Sequence, residues 1–200
     1  MITNIIPTQG FEIVRDLIGA ILTTNLLVQK SLKNLPDEIS VFTGRTTPFS
    51  SSEKLMINVS CDSSAYISFS QYNVHGSTNY FIDVFCSAAE TQNNTGGKLS
   101  TNKRDMYVGM IRYILQSTIY KTLGIAPGLI LGTYVEGFEN VDSSNNQDAA
   151  FVKMSRLTFS VRLNESQNLW EGVDITSIFT DVKLELTDLG YKFKEENINP

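Results

Sequence analysis

Cysteine and histidine are scarce in this chain, with two of the first and one of the second in 200 residues. That excludes a disulfide framework, and it excludes a structural zinc site built from His and Cys. Cys61 and Cys86 each fall in an alternating run, where a reduced, buried thiol is expected. A Ser/His/Asp or Cys/His triad would have to use His75, which sits in a predicted loop without a neighbouring signature. Charged residues are also few, at 18%, and nothing resembles the basic footprint of a nucleic-acid binder. There is no Walker A sequence, no glycine fingerprint after a strand and no calcium loop; Gly96-Gly97-Lys98 reads as a turn. No apolar run is long enough to span a bilayer, so no membrane partner is expected. The opening MITNIIPTQG lacks the basic and continuous apolar regions of a secretory signal. Without secretion, the glycosylation matches at Asn58 and Asn164 carry no weight. Acid pairs such as Glu136 with Glu139 are indistinguishable from surface charge without a cleft to place them in. The expectation is a non-enzyme that uses no cofactor and no metal.

What the chain does have is apolar patterning, at 42% of residues, enough for one sizeable core. The net charge of −5 is unevenly placed. Residues 1–163 carry 13 basic and 13 acidic side chains, whereas residues 164–200 carry 3 and 8. The expected division is therefore a domain over 1–164 and an acidic arm or extension over 165–200.

The pattern predicts a helix over Gly10–Lys33, with Phe11, Val14, Leu17, Ile18, Ile21 and Leu22 on helical spacing. Thr23, Thr24 and Asn25 are poor helix formers, so the helix ends there or runs on to the Leu35-Pro36 boundary. Glu38–Thr43 is a short strand, and Gly44–Glu53 a loop rich in Ser, Thr and Pro. Lys54–Cys61 alternates, with Leu55, Ile57, Val59 and Cys61 on one face. Asp62-Ser63-Ser64 reads as a turn and Ala65–Tyr72 as the return strand, which places Tyr66 and Tyr72 on the outer face. Asn73–Thr78 reads as a loop. Asn79–Ala88 is apolar on both faces apart from Asp83, as suits a central strand. Glu90–Ser100 is a polar loop.

The strongest amphipathic helix is expected over Thr101–Leu123, with Met106, Met110, Tyr113, Ser117 and Tyr120 in line and Ile111, Leu115 and Ile119 widening the stripe. Lys103 and Arg104 fall in its first turn, where the helix dipole disfavours cations, so they are candidates to face an acidic partner. Gly124 suits a left-handed cap, and Pro127 forbids continuation. Leu129–Val141 and Ala149–Asn164 read as the strands of a long hairpin with its tip at Asp142–Asp148. Gly132 and Gly137 mark bulges or bends. The expected fold is α+β: a curved mixed, mainly antiparallel sheet with two main helices packed on it, plus a C-terminal extension.

This order of elements resembles the bacteriophage tail terminator, or tail completion, family. The residues that carry the resemblance are FEIVRDLIGAIL, NYFIDVFCSA, DMYVGMIRYILQSTIYKTLG and MSRLTFSVRL, over roughly Gly10–Asn164. The acidic segment after Asn164 departs from the family's compact pattern. The resemblance implies a structural virion protein, assembled in the host cytoplasm. It would be a homo-oligomeric ring, usually a hexamer, capping the tail tube and joining it to the head–tail connector or neck. DNA would pass through the channel without specific binding. Expected contacts between subunits or with partners are Arg45 and Phe49 in the Arg45–Glu53 loop, Lys98 in the Glu90–Ser100 loop, and Asn145 at the hairpin tip. Lys103 and Arg104 belong to the same set, as do Trp170, Phe179 and Leu184 in the arm; Trp170 suits an interface anchor or a core plug equally. Two other readings are a tail-tube or neck adaptor subunit, and a carbohydrate-binding or adhesin module using Tyr66 and Tyr72.

Overall fold

The structure is a computed structural model that describes residues 8–49, 53–68, 74–89, 96–125, 128–141, 152–165, 179–182 and 191–194. The chain divides into two compact units, Met1–Gln167 and Asn168–Pro200. In chain order the first unit comprises α1 (Gly10–Lys33), β1 (Ser40–Thr43), β2 (Leu55–Ser68), β3 (Val74–Ser87), α2 (Gly96–Gln116), a 3-10 turn (Thr118–Tyr120), β4 (Ile130–Val141) and β5 (Val152–Asn164). The second holds β6 (Phe179–Val182) paired antiparallel with β7 (Tyr191–Lys194).

The large sheet runs β1-β2-β3-β5-β4 and does not close. Only β1–β2 is parallel; the other pairs are antiparallel. Two helices cover one of its faces, so the fold is α+β. The covered face is apolar because alternate residues of the central strands all turn to it. Ile57, Tyr80, Ile82, Val84, Leu157, Phe159 and Val161 meet Val14, Ile18, Leu22 and Leu26 of α1 and Tyr107, Ile111 and Leu115 of α2 in one core. Each such side chain contributes about 1.5–3 kcal/mol through burial.

Helix α1 runs unbroken through Thr23-Thr24-Asn25. The Thr23 hydroxyl donates to the Gly19 carbonyl at 2.8 Å and Asn25 Nδ2 to the Ile21 carbonyl at 2.8 Å, while Leu22 and Leu26 pull that stretch into the core. Tertiary burial outweighs weak propensity here. The helix stops at Asn34, in the left-handed conformation (φ 50°), whose N–H reaches the Lys30 and Ser31 carbonyls. Along its length Gly19 permits a close approach to β1, since a Cβ there would stand 2.5 Å from the Thr43 methyl.

The structure corrects several local expectations. Asp62-Ser63-Ser64 is no turn: β2 continues for 14 residues, and the register shifts between Cys61 and Ser63 as at a β-bulge. That extra residue exchanges the two faces. Tyr66 therefore pairs with Gly76 and lies on the helix-side face, its ring 3.1 Å from where a Cβ of Gly76 would be. His75 lies within β3 rather than in a loop; Tyr72 lies outside the described residues. Helix α2 begins at Gly96, so Gly96-Gly97-Lys98 is its first turn, and the Ser100 and Thr101 hydroxyls bond back to the Gly96 and Gly97 carbonyls. It ends at Gln116. Ser117 leaves helical geometry (ψ 140°) and its hydroxyl caps the 3-10 turn, so the regular helix does not reach Leu123.

Candidate functional site

The opposite face of the sheet is covered in part by residues 45–49. Arg45 forms a two-pronged pair with Glu53 (Nη1–Oε1 2.6 Å, Nη2–Oε2 3.0 Å) and lies 4.7 Å over the Phe42 ring. Its backbone N–H donates to Asn58 Oδ1 at 2.9 Å. Phe49 stacks on Phe85, with centroids 5.5 Å apart. On the same face Arg156 donates to both carboxylate oxygens of Asp83 at 2.7 and 2.9 Å, and its guanidinium sits 4.3 Å over Phe81. Asp83 is thus the polar member of a central strand because Arg156 meets it directly across the β3–β5 ladder.

Lys103 works as a staple inside its own chain. Its Nζ lies 2.7 Å from Asp37 and donates to the Lys54 and Ser87 carbonyls at 2.8 and 3.3 Å, which ties α2 to the start of β2 and the end of β3. The Tyr107 hydroxyl donates to the same Asp37, at 3.5 Å. Arg104 is 5% exposed and holds Asp105 at 2.8 Å. Because α2 begins five residues before Thr101, neither cation is in the first turn, and the argument from the helix dipole falls away. Lys98 is exposed on that first turn. Phe179 opens β6, where its backbone pairs with Lys194. Asn145, Trp170 and Leu184 lie outside the described residues. Among the described candidates of the first unit, Arg45 and Phe49 lie on the sheet face opposite the helices, while Lys98, Lys103 and Arg104 lie on α2.

What it does assemble is a groove of about 560 Å³ between α1 and α2. Asn25, Gln29 and Lys33, spaced four apart on α1, form one wall; Met106, Met110, Tyr113 and Ile114 of α2 with Ile119 and Tyr120 of the 3-10 turn form the other. Asn25 Nδ2 donates to the Tyr120 hydroxyl at 2.8 Å and so bridges the walls. Tyr113 is 81% and Ile119 76% exposed. The helix face that meets the sheet is Tyr107, Val108, Ile111, Ile114 and Leu115. The line of Met106, Met110 and Tyr113 that first marked the helix as amphipathic is the groove wall. One signal could have found it: the apolar stripe of α2 is wider than one sheet contact can cover.

The groove offers apolar area, amide and hydroxyl groups and the single ammonium of Lys33, a set suited to holding apolar side chains and not to moving protons. Among the described residues no group of three or more His, Cys, Asp or Glu could hold a metal ion. Both thiols are raised by burial above the ordinary cysteine range, Cys86 to about 12, so neither is a nucleophile at neutral pH. Among the described residues no helix is long and apolar enough to cross a membrane.

One ionisable group lies beyond the groove, at the start of α1. Glu165 is buried beneath Gly10 and Gly76, and its Oε1 has no hydrogen-bond partner. Desolvation raises its carboxyl above the usual range. A raised folded-state value means stability that is fully present below about pH 4 and lost as pH climbs through the raised value. Glu165→Gln is therefore expected to stabilise the protein at pH 7 by about 1 kcal/mol. The advantage should vanish by pH 4 in thermal unfolding followed across that range.

No protein-family model matches this sequence, and no curated protein matches it. The fold and the groove define a class no narrower than an α+β domain with an open five-stranded sheet and a largely apolar groove between its two helices.

Proposed function

We propose that the protein is a structural virion subunit, a phage tail terminator that closes into a ring on the end of the tail tube and meets the head–tail connector. The observation that carries this reading is the order of elements: a helix, a short strand, a long antiparallel pair, a second helix over the same face and a long closing hairpin. It departs from the order that carries the resemblance at one place, where the two strands expected over Lys54–Cys61 and Ala65–Tyr72 are the single strand β2. The surface left over by one copy is consistent with it. Strand β4 is a 12-residue edge, exposed along Glu136–Val141, and its Tyr134, Phe138 and Val141 are large, apolar and exposed. An open edge with apolar side chains invites pairing with another chain. A ring needs two different surfaces per subunit, joined head to tail, and an edge strand and a helical groove are different surfaces. The balanced charge of residues 1–163 suits a channel that lets DNA pass without gripping it.

The purified protein, imaged by negative stain alone and with tail tubes, tests the reading. One ring at a single end of each tube is the expected result. Long stacks would make the chain a tube subunit instead, and a particle that neither forms rings nor binds tube ends would end the proposal.

A further inference from the structure

The α1–α2 groove is bordered by cations. Lys33 is the charged residue of its lining, and the stretches that supply its walls, 25–33 and 106–120, add Lys30 and Arg112 and no acid, the nearest being Asp105 just before Met106, which is paired with Arg104. Arg112 is exposed one residue before Tyr113, and Lys121 is exposed directly after Tyr120. Between these cations the surface is more apolar than polar, with Tyr113 and Ile119 standing largely in solvent beside the amides of Asn25 and Gln29. An apolar floor with a cationic rim is complementary to a segment that is apolar and acidic.

The chain contains such a segment. Residues 168–200 carry seven acids against three bases, and they include Trp170, Ile175, Ile178, Phe179, Leu184 and Leu186. Among the described residues of this segment, Phe179–Val182 and Tyr191–Lys194 pair as a two-stranded antiparallel sheet. A two-stranded sheet is marginal in water and needs a further apolar surface to pack on.

We propose that the groove is the docking site for the acidic Asn168–Pro200 unit of a second copy of this chain. The contact is heterologous, groove to arm, so each copy offers one surface and uses the other, which is the geometry that builds rings. The inference draws its occupant from the ring reading, but the groove and its charge stand without it. It predicts that Tyr113 and Ile119, the most exposed large apolar residues of this face, are covered once copies associate.

The test uses the full chain with a benzophenone amino acid at position 113, mixed as isotopically heavy and light copies and irradiated. Heavy–light cross-links from position 113 into residues 168–200 are the expected result. Heavy–light links that land elsewhere, links confined to one copy, or no links in a sample that is associated by light scattering would each overturn it. In parallel, Lys33→Glu with Lys121→Glu should weaken association about tenfold, and Asp181→Lys with Glu185→Lys in the arm should restore it in the same chain. Circular dichroism establishes that these variants are folded. Rings seen by negative stain without links from position 113 to the arm would sink this inference and leave the tail-terminator reading standing. A chain that stays monomeric at every concentration and on tubes would remove both.

Discussion

Phe159→Ala is expected to lower stability by about 4 kcal/mol, the largest effect of any single truncation in this fold. Phe159 is fully buried on β5, an interior strand, where it pairs with Tyr80 of β3 and Val135 of β4. Its ring lies in the core that both helices cover, so a cavity there is walled by three strands and cannot collapse by moving one loop. For a unit of this size each kcal/mol moves the midpoint by roughly 2–4 °C, which gives a drop on the order of 10 °C in a thermal scan. Thr158→Ala provides the control. Its side chain points to the opposite, half-open face, and a change within about 0.5 kcal/mol is expected. Equal losses at 158 and 159 would mean that the core does not lie on the helix side.

Arg156→Ala should cost about 2–3 kcal/mol, because it leaves the Asp83 carboxylate, 7% exposed, without its cation. Breaking one side of a buried pair is expensive since the remaining charge stays desolvated. Part of the value is discounted because the Arg156 side chain itself is 32% exposed. The guanidinium also covers the Phe81 ring, so apolar contact is lost along with charge. Lysine cannot reproduce the two parallel bonds, and Arg156→Lys should recover less than half of the loss. The double variant Asp83→Asn, Arg156→Met should be more stable than Arg156→Ala, as a neutral pair leaves no orphaned charge. Chemical denaturation of the four proteins checks the whole set.

Much of this architecture was legible in the sequence, for a physical reason. The sheet buries one face almost completely, so strict alternation at Leu55–Val59 and Leu157–Leu163 survives as a clean pattern. Asn79–Ala88 was rightly central: Phe81 and Phe85 meet Arg156 and Phe49 on one side while Tyr80, Ile82 and Val84 enter the core on the other. The bulge after Cys61 was not legible. Asp-Ser-Ser has the composition of a turn, and only pairing with β3 decides that the chain goes straight on. The start of α2 was hidden by two glycines that side-chain hydroxyls one turn later hold in helical form. The groove escaped notice because sequence periodicity reports that a face is apolar and not what covers it. Likewise Arg45 and Lys103 read as free cations until the fold brought Glu53 and Asp37 to them.

The position of β5 governs the order in which the molecule can form. The strand arrives after β4 yet lies between β4 and β3, so every pair it makes with β3 closes a loop that includes all of residues 88–151. Loop-closure entropy of that size has to be met before the ladder returns any free energy. Until then α2 has only half of its floor, and the β3 edge stays open to other chains. Refolding should therefore be slow compared with helical domains of similar length, and it should be most vulnerable to aggregation at the stage when the β2–β3 hairpin is complete and β5 is not.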